Sequence, residues 1–137
     1  MREGVLIRWG WLRAMYIYTI VGAGGMGLAM LLFPGATQSG LGYPPQDPFV
    51  FGVYGSVLLA AGLLAILGLR FPLQFVPLLL IQLVYKPVWL LAVVLPHALR
   101  GEFPSYAVVI SMIFLTYIIG NLIAIPFRYV FGTNAQA

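Results

Sequence analysis

The chain contains no cysteine and very little charge. The absence of cysteine among its 137 residues excludes disulfides, thiol redox centres and thiolate metal sites. Only three residues are acidic and 7% are charged, whereas a soluble domain has roughly a quarter of its residues charged. Because 62% of the residues are hydrophobic, most of the surface must face lipid. The composition therefore predicts an integral membrane protein.

Prolines, glycines and charges divide the chain into four apolar segments, at about 14–33, 49–69, 72–95 and 104–125. At about 1.5 Å rise per residue, a helix of each length crosses a hydrocarbon core of about 30 Å. The third helix is expected to begin at Pro72 and to end before Pro96, and the polar stretch 35–48 is expected to be a loop. The sequence thus predicts one all-α membrane domain, 1–137, a four-helix bundle with antiparallel up-down topology.

The basic residues lie near the ends of the predicted helices instead of forming a stripe, so nucleic-acid binding is not expected. One side of the predicted membrane has Arg2, Arg8, Arg13, Arg70 and Arg128, and the other has Arg100 alone. By the positive-inside rule, both termini are expected to be cytoplasmic. A signal peptide is the alternative interpretation of the first segment, which is long for one and precedes no clear cleavage site.

Small residues predict where the helices touch, because helices in lipid associate by close backbone approach. The second helix has two sets, with spacings of four and of seven residues: Gly52, Ser56 and Ala60, and Gly55 and Gly62. The second helix is therefore expected at the centre of the packing. Glycines around Gly24 match a dinucleotide fingerprint, but that motif requires a strand and a hydrated turn, so they are interpreted as packing residues.

The third helix contains Lys86, the one charge within an apolar segment. An ammonium at the centre of a membrane helix costs about 3 kcal/mol on insertion scales and is usually functional. Residues on the same helix face as Lys86, or at the same expected membrane depth, form a candidate ligand site with it. The site comprises Gln82, Tyr85, Lys86, Trp89 and Tyr117. Asn121 on the fourth helix is expected to form an interhelical hydrogen bond.

Three interpretations of Lys86 remain open. In the first, a neutral or hydrated lysine ties helices together; in the second, it binds a ligand or headgroup; in the third, it takes part in chemistry. No Asp or Glu lies in a predicted helix, which disfavours proton coupling and leaves no base with an orienting partner. His97 is the only histidine and has no further ligand nearby, so neither a metal site nor a catalytic residue is predicted.

The layout of four short helices, the Phe33-Pro34 boundary, the glycine-rich stretch from Gly52 to Gly62 and the turn Gly68-Leu69-Arg70-Phe71-Pro72 resemble the small bacterial DoxX-like four-helix membrane proteins and their uncharacterised relatives. The resemblance covers about 14–131. It implies a four-helix bundle in a bacterial inner membrane, sometimes as an accessory subunit of a quinone-linked oxidoreductase.

Short loops and the lack of an acid/base pair favour a non-catalytic subunit or scaffold of a membrane complex. The alternative is a homo-oligomeric transporter, or a lipid- or quinone-binding protein, that uses Lys86. No other cofactor is expected. The expected partners are the lipid bilayer and either further copies of the chain or a larger membrane complex.

Overall fold

The computed structural model describes residues 6–132. Four helices within this range are long and apolar enough to cross a membrane, and we name them α1 (Trp9–Leu32), α3 (Pro48–Arg70), α4 (Val76–Leu99) and α5 (Ser105–Ala124). Two shorter helices are α2 (Pro34–Leu41) and α6 (Phe127–Phe131), and the described residues contain no strand. The predicted all-α class with four membrane helices is confirmed.

The stretch 35–48, predicted to be a loop, begins inside helix α2. Pro34 occupies the first turn of α2, where a backbone N–H would have no hydrogen-bond partner within the helix, so the N–H that proline lacks is not needed. Gly42 ends the helix with a φ of 74°, a conformation that glycine adopts without strain. The prediction is wrong for 35–41 and for Pro48, which begins α3, because the prolines and glycine that suggest a loop here are the start and stop signals of helices.

The predicted bounds of the third helix are wrong at both ends. α4 begins at Val76, with Pro77 in its first turn, and the preceding residues form a turn. At the other end α4 continues past Pro96 to Leu99. A π-helical segment, Leu90–Val94, ends two residues before that proline, and such local widening accommodates proline in membrane helices.

Glycines bring α1 and α3 together along their length. A Cβ atom at Gly27 would overlap backbone atoms of Gly55 and Leu59, and one at Gly62 would overlap Gly24. The first half of α1 also packs on α5, and α5 packs on α4. Within the described chain, α3 packs closely on α1 and only weakly on α4, whereas α1 packs on both α3 and α5, so the second membrane helix does not lie at the centre of the packing as predicted.

The second set of small residues on α3 faces outward. Ser56 and Ala60 are exposed, and a Cβ atom at Gly52 would meet nothing within 4 Å beyond its own helix backbone. These three residues line a shallow groove beside Leu31. They do not pack against another helix of the described chain, so a contact with a second protein stays a prediction.

Two apolar clusters form the core and leave a polar level between them. The larger cluster comprises Leu12, Met15, Tyr16, Ala65, Val76, Leu79, Tyr117, Ala124 and Ile125. The smaller one comprises Ala23, Met30, Phe51 and Leu58. Thr19 is buried between the two clusters along α1, and Gln82 and Lys86 are buried on α4. The candidate site therefore lies in the middle of the membrane helices.

Candidate functional site

Lys86 is enclosed by aromatic rings. Its side chain is 2% exposed, and its Nζ donates a hydrogen bond of 2.7 Å to the hydroxyl of its neighbour Tyr85. The same nitrogen lies 4.3 Å from the ring centroids of Tyr85 and Tyr117 and 4.8 Å from that of Phe114. Each such contact stabilises an ammonium by about 0.5–2 kcal/mol. Together the rings offset much of the cost of placing this charge within the membrane.

Within residues 6–132, no carboxylate forms an ion pair with Lys86. Asp47 caps the start of α3, where its side chain accepts hydrogen bonds from two backbone N–H groups. Glu102 lies 3.8 Å from Arg100 in an exposed pair. The single acceptor for the three N–H donors of Lys86 in this part of the chain is therefore the hydroxyl of Tyr85, and the amine can still donate to a ligand.

A cavity of about 230 Å³ adjoins Lys86. All four membrane helices and the segment after α2 contribute to its wall: Tyr18, Gly22, Ala23, Met26, Met30, Leu41, Tyr43, Tyr54, Leu58, Tyr85, Lys86, Val109, Ile110, Ile113, Phe114 and Tyr117. The wall is mainly aliphatic and aromatic, and its polar groups are the lysine amine and tyrosine hydroxyls. Such a lining suits an apolar molecule with one acceptor group.

Tyr117 is held against α1 by three contacts. Its ring stacks on Tyr18 with centroids 4.1 Å apart, and its hydroxyl donates to the Tyr18 carbonyl at 3.0 Å. The hydroxyl lies so close to Gly22 that any Cβ atom there would overlap it. Gly22 belongs to a π-helical segment, Ile20–Gly24, a feature common at functional sites. Glycine at this position thus allows Tyr117 to reach the cavity wall beside Lys86.

Tyr43 covers the end of the cavity next to α2. Its ring meets Phe51 and Tyr106 edge to face, with centroid distances of 6.4 Å and 5.0 Å. Burial, together with the nearby Tyr54 and Tyr106, raises the pKa of Tyr43 to about 12. Its hydroxyl therefore stays protonated at neutral pH, where it can donate a hydrogen bond without adding charge.

Three of the five predicted site residues line the cavity, namely Tyr85, Lys86 and Tyr117. Gln82 lies elsewhere: it is 2% exposed, and its Nε2 donates to the Thr19 hydroxyl at 3.2 Å. Trp89 packs edge-on against Phe114, with centroids 5.1 Å apart, and does not line the cavity.

Phe114, Tyr18 and Tyr43 belong to the site but were not predicted as members. The sequence does contain a signal for Phe114, because it precedes Tyr117 by three residues and so shares its helix face. No comparable signal exists for Tyr43, whose position depends on the unexpected helix α2.

Asn121 does not form the predicted interhelical hydrogen bond. It is fully buried one turn beyond Tyr117, and neither side-chain polar atom has a partner among the described residues. Gln82 Oε1 is likewise unpaired in that part of the chain. A buried polar group without a partner costs about 1–3 kcal/mol.

Asn121→Leu is therefore expected to raise the free energy of unfolding by about 1–3 kcal/mol, because it removes two unpaired polar atoms at similar volume. Chemical unfolding in mixed micelles measures the change. Ser111→Ala is the matched control on α5, since the Ser111 hydroxyl already donates to the Ala107 carbonyl at 2.7 Å. A less stable Asn121→Leu variant would show that the amide has a partner in the membrane.

The described residues contain no group of three His, Cys, Asp or Glu side chains that could hold a metal ion. His97 Nδ1 is 2.7 Å from the carbonyl oxygen of Val93 on its own helix. The arrangement around Lys86 can bind and orient an acceptor group, and it places no acid/base pair beside the amine.

Comparison with protein-family models, curated proteins and solved structures found no match. Membership of the DoxX-like group therefore stays a prediction, and the functional assignment depends on the geometry around Lys86.

Proposed function

We propose that the protein is a non-catalytic multi-pass membrane protein whose core binds a membrane-soluble ligand through an acceptor oxygen. The observation that supports this most is Lys86, a buried amine at a cavity wall with one hydrogen bond and no ion pair in the described chain. Buried charges in membrane proteins commonly mark ligand or ion sites.

The volume of the cavity restricts how a ligand would lie. About 230 Å³ is less than the roughly 300–1,000 Å³ of pockets that enclose a drug-sized molecule. The cavity would therefore hold the polar head of a lipid-like molecule, with an apolar tail leaving between helices. The second half of α1, Gly25–Leu32, packs on α3 and makes little contact with α5, so the tail would leave between α1 and α5.

Two ligand classes share the required chemistry. A quinone offers a flat ring for the tyrosine faces and a carbonyl oxygen for the Lys86 amine. An anionic lipid offers a carboxylate or phosphate oxygen that would also neutralise the ammonium. Both are amphipathic molecules that reach the site from the bilayer.

We infer an up-down, antiparallel bundle with both ends of the chain at the cytoplasmic face of a bacterial inner membrane. The hydrogen bond of 2.9 Å from Arg8 Nη1 to the Ile123 carbonyl supports this, because it joins the start of α1 to the end of α5. Tyr16 near the start of α1 likewise contacts Gly68 near the end of α3. The excess of arginine at this end supports the cytoplasmic orientation.

A subunit or scaffold role is the second candidate, and the outward-facing set Gly52, Ser56 and Ala60 favours it. Small residues on an exposed face allow a second helix to approach closely. Native mass spectrometry of gently solubilised membranes distinguishes a subunit of a larger complex from a homo-oligomer. Co-migration with larger proteins would support a subunit, and a mass of several identical chains would support the homo-oligomeric alternative.

Trp89 offers a direct binding assay, because it packs on Phe114, whose ring lies over the Lys86 amine. In a variant with Trp9→Phe and Trp11→Phe, both exposed positions, Trp89 is the single tryptophan. A short-chain benzoquinone or a nitroxide-labelled stearate is expected to quench the fluorescence of Trp89 saturably. A brominated alkane, which has no acceptor oxygen, is the control.

Saturable quenching by at least one of the two acceptor probes, with a linear response to the alkane, supports the proposed ligand site. If all three probes give the same unsaturated response, they only partition into the micelle, and the proposed function is wrong.

A further inference from the structure

A second cavity, of about 360 Å³, lies where the start of α1 meets the end of α5. Its wall includes the arginines Arg8 and Arg128 and the apolar side chains of Leu6, Leu122 and Phe127. This site is separate from the cavity beside Lys86, since the two share no lining residue. Two guanidinium groups beside apolar side chains are suited to an anion that has acyl chains.

The hydrogen bond to Ile123 positions Arg8 at the cavity. That bond uses one of the five N–H donors of the guanidinium, and the others are left for a ligand. The guanidinium of Arg128 has no hydrogen bond or ion pair with another described residue, and both arginines are exposed to solvent or lipid headgroups.

No protein carboxylate neutralises these two charges within residues 6–132. The two described acids lie a whole membrane helix away along the chain, Asp47 at the start of α3 and Glu102 just before α5. Among the described residues the cavity therefore has a local excess of positive charge, and an anion gains from both arginines at once.

The cavity lies at the expected depth of phospholipid phosphates. Arg8 precedes α1 directly, and Arg128 follows α5 after a short break at Pro126. Trp9 and Trp11 are about half exposed at this end, as is typical of side chains at a membrane interface. The apolar part of the wall then faces the first carbons of the acyl chains.

We propose that this cavity binds a phosphate-bearing anion, with Arg8 and Arg128 contacting the phosphate oxygens. At this depth the phosphate belongs to an anionic phospholipid, whose acyl chains lie along Leu6, Leu122 and Phe127. Arginine suits such an anion because its planar guanidinium contacts two phosphate oxygens together.

Native mass spectrometry of the full chain in neutral detergent tests the proposal by titration with dioleoylphosphatidylglycerol and, separately, dioleoylphosphatidylcholine. The anionic lipid is expected to bind more tightly. Arg128→Gln should weaken its binding more than about fivefold, because it removes direct contacts with the phosphate in addition to the general attraction of one interfacial arginine for an anionic lipid. Arg128→Lys should recover only part of the affinity, because an ammonium keeps the charge but does not contact two phosphate oxygens in one plane.

Arg70→Gln is the matched control, because Arg70 lies at the end of α3 over the Phe71 ring and does not line the cavity. An equal loss in the Arg70 and Arg128 variants would show that surface charge alone attracts the lipid, and would overturn the proposal. Equal affinity for the two lipids would overturn it as well. Circular dichroism of each variant verifies that it is folded.

Inorganic phosphate, added as a competitor, distinguishes the two sources of the anion. Undiminished lipid binding in its presence supports a lipid headgroup. If phosphate displaces the lipid from the unaltered protein but not from Arg128→Gln, the result supports the same anion site with a soluble phosphate as its occupant.

Discussion

Lys86→Met is expected to weaken ligand binding by tenfold to a hundredfold and to leave the folded protein as stable as before, or more stable. A hydrogen bond from a charged donor contributes about 1.5–3 kcal/mol, which sets the loss of affinity. On the stability side, the variant loses one hydrogen bond to Tyr85 and three ring contacts but no longer buries a charge. Replacement of a buried ion by an apolar group of similar size is often neutral or stabilising.

The Trp89 quenching assay measures the affinity, and chemical unfolding in mixed micelles measures the stability. Val88→Met is the matched control, because Val88 lies on the same helix and is 55% exposed. Tyr85→Phe removes the hydroxyl and keeps the ring and the amine, so it should bind nearly as well as the unaltered protein. If Lys86→Met misassembles and the unaltered protein shows no saturable quenching by either acceptor probe, then Lys86 serves only to join helices.

Gly27→Leu is expected to separate α1 from α3 and to reduce the free energy of unfolding by about 3 kcal/mol, the upper end of the usual cost of overpacking. Any side chain at Gly27 would overlap the backbone of α3 at Gly55 and Leu59, and backbone atoms cannot move aside as a side chain can. The cavity should also be lost, because α1 and α3 both contribute to its wall.

Gly25→Leu is the control for this substitution. A Cβ atom at Gly25 would meet nothing within 4 Å beyond its own helix backbone, so the variant should unfold like the unaltered protein. Gly55→Leu should have an intermediate effect, since a Cβ atom there would lie 3.0 Å from Met30 Cβ, a tight contact but a longer one than the overlaps at Gly27. Equal stability of all three variants would contradict the close approach of α1 and α3.

Hydropathy and helix length are strong signals, and they were sufficient to predict the all-α class and four membrane helices. The level of Lys86 relative to the fourth membrane helix was also predictable from the lengths of the helices, which place Tyr117 beside it. The contact of Lys86 with the Tyr117 ring agrees with that level.

Other features depend on backbone detail that composition does not reveal. Pro34 and Pro96 look alike as helix-breaking residues, yet one begins a short helix and the other lies inside a membrane helix after a π-helical segment. The spacing of Gly52, Ser56 and Ala60 predicts a contact face but cannot say whether the partner belongs to the same chain. The position of Tyr43 over the cavity depends on α2, so the end of the site next to α2 could not be predicted.

The central claim is that the Lys86 amine binds a ligand from the membrane. A density map of the protein purified with native lipids in mild detergent tests it most directly. We expect density of a head group within hydrogen-bond distance of Lys86 Nζ, continuing as a tail between α1 and α5. A map with only protein side chains or water around the amine would contradict the claim and leave Lys86 as a contact between α4 and α5.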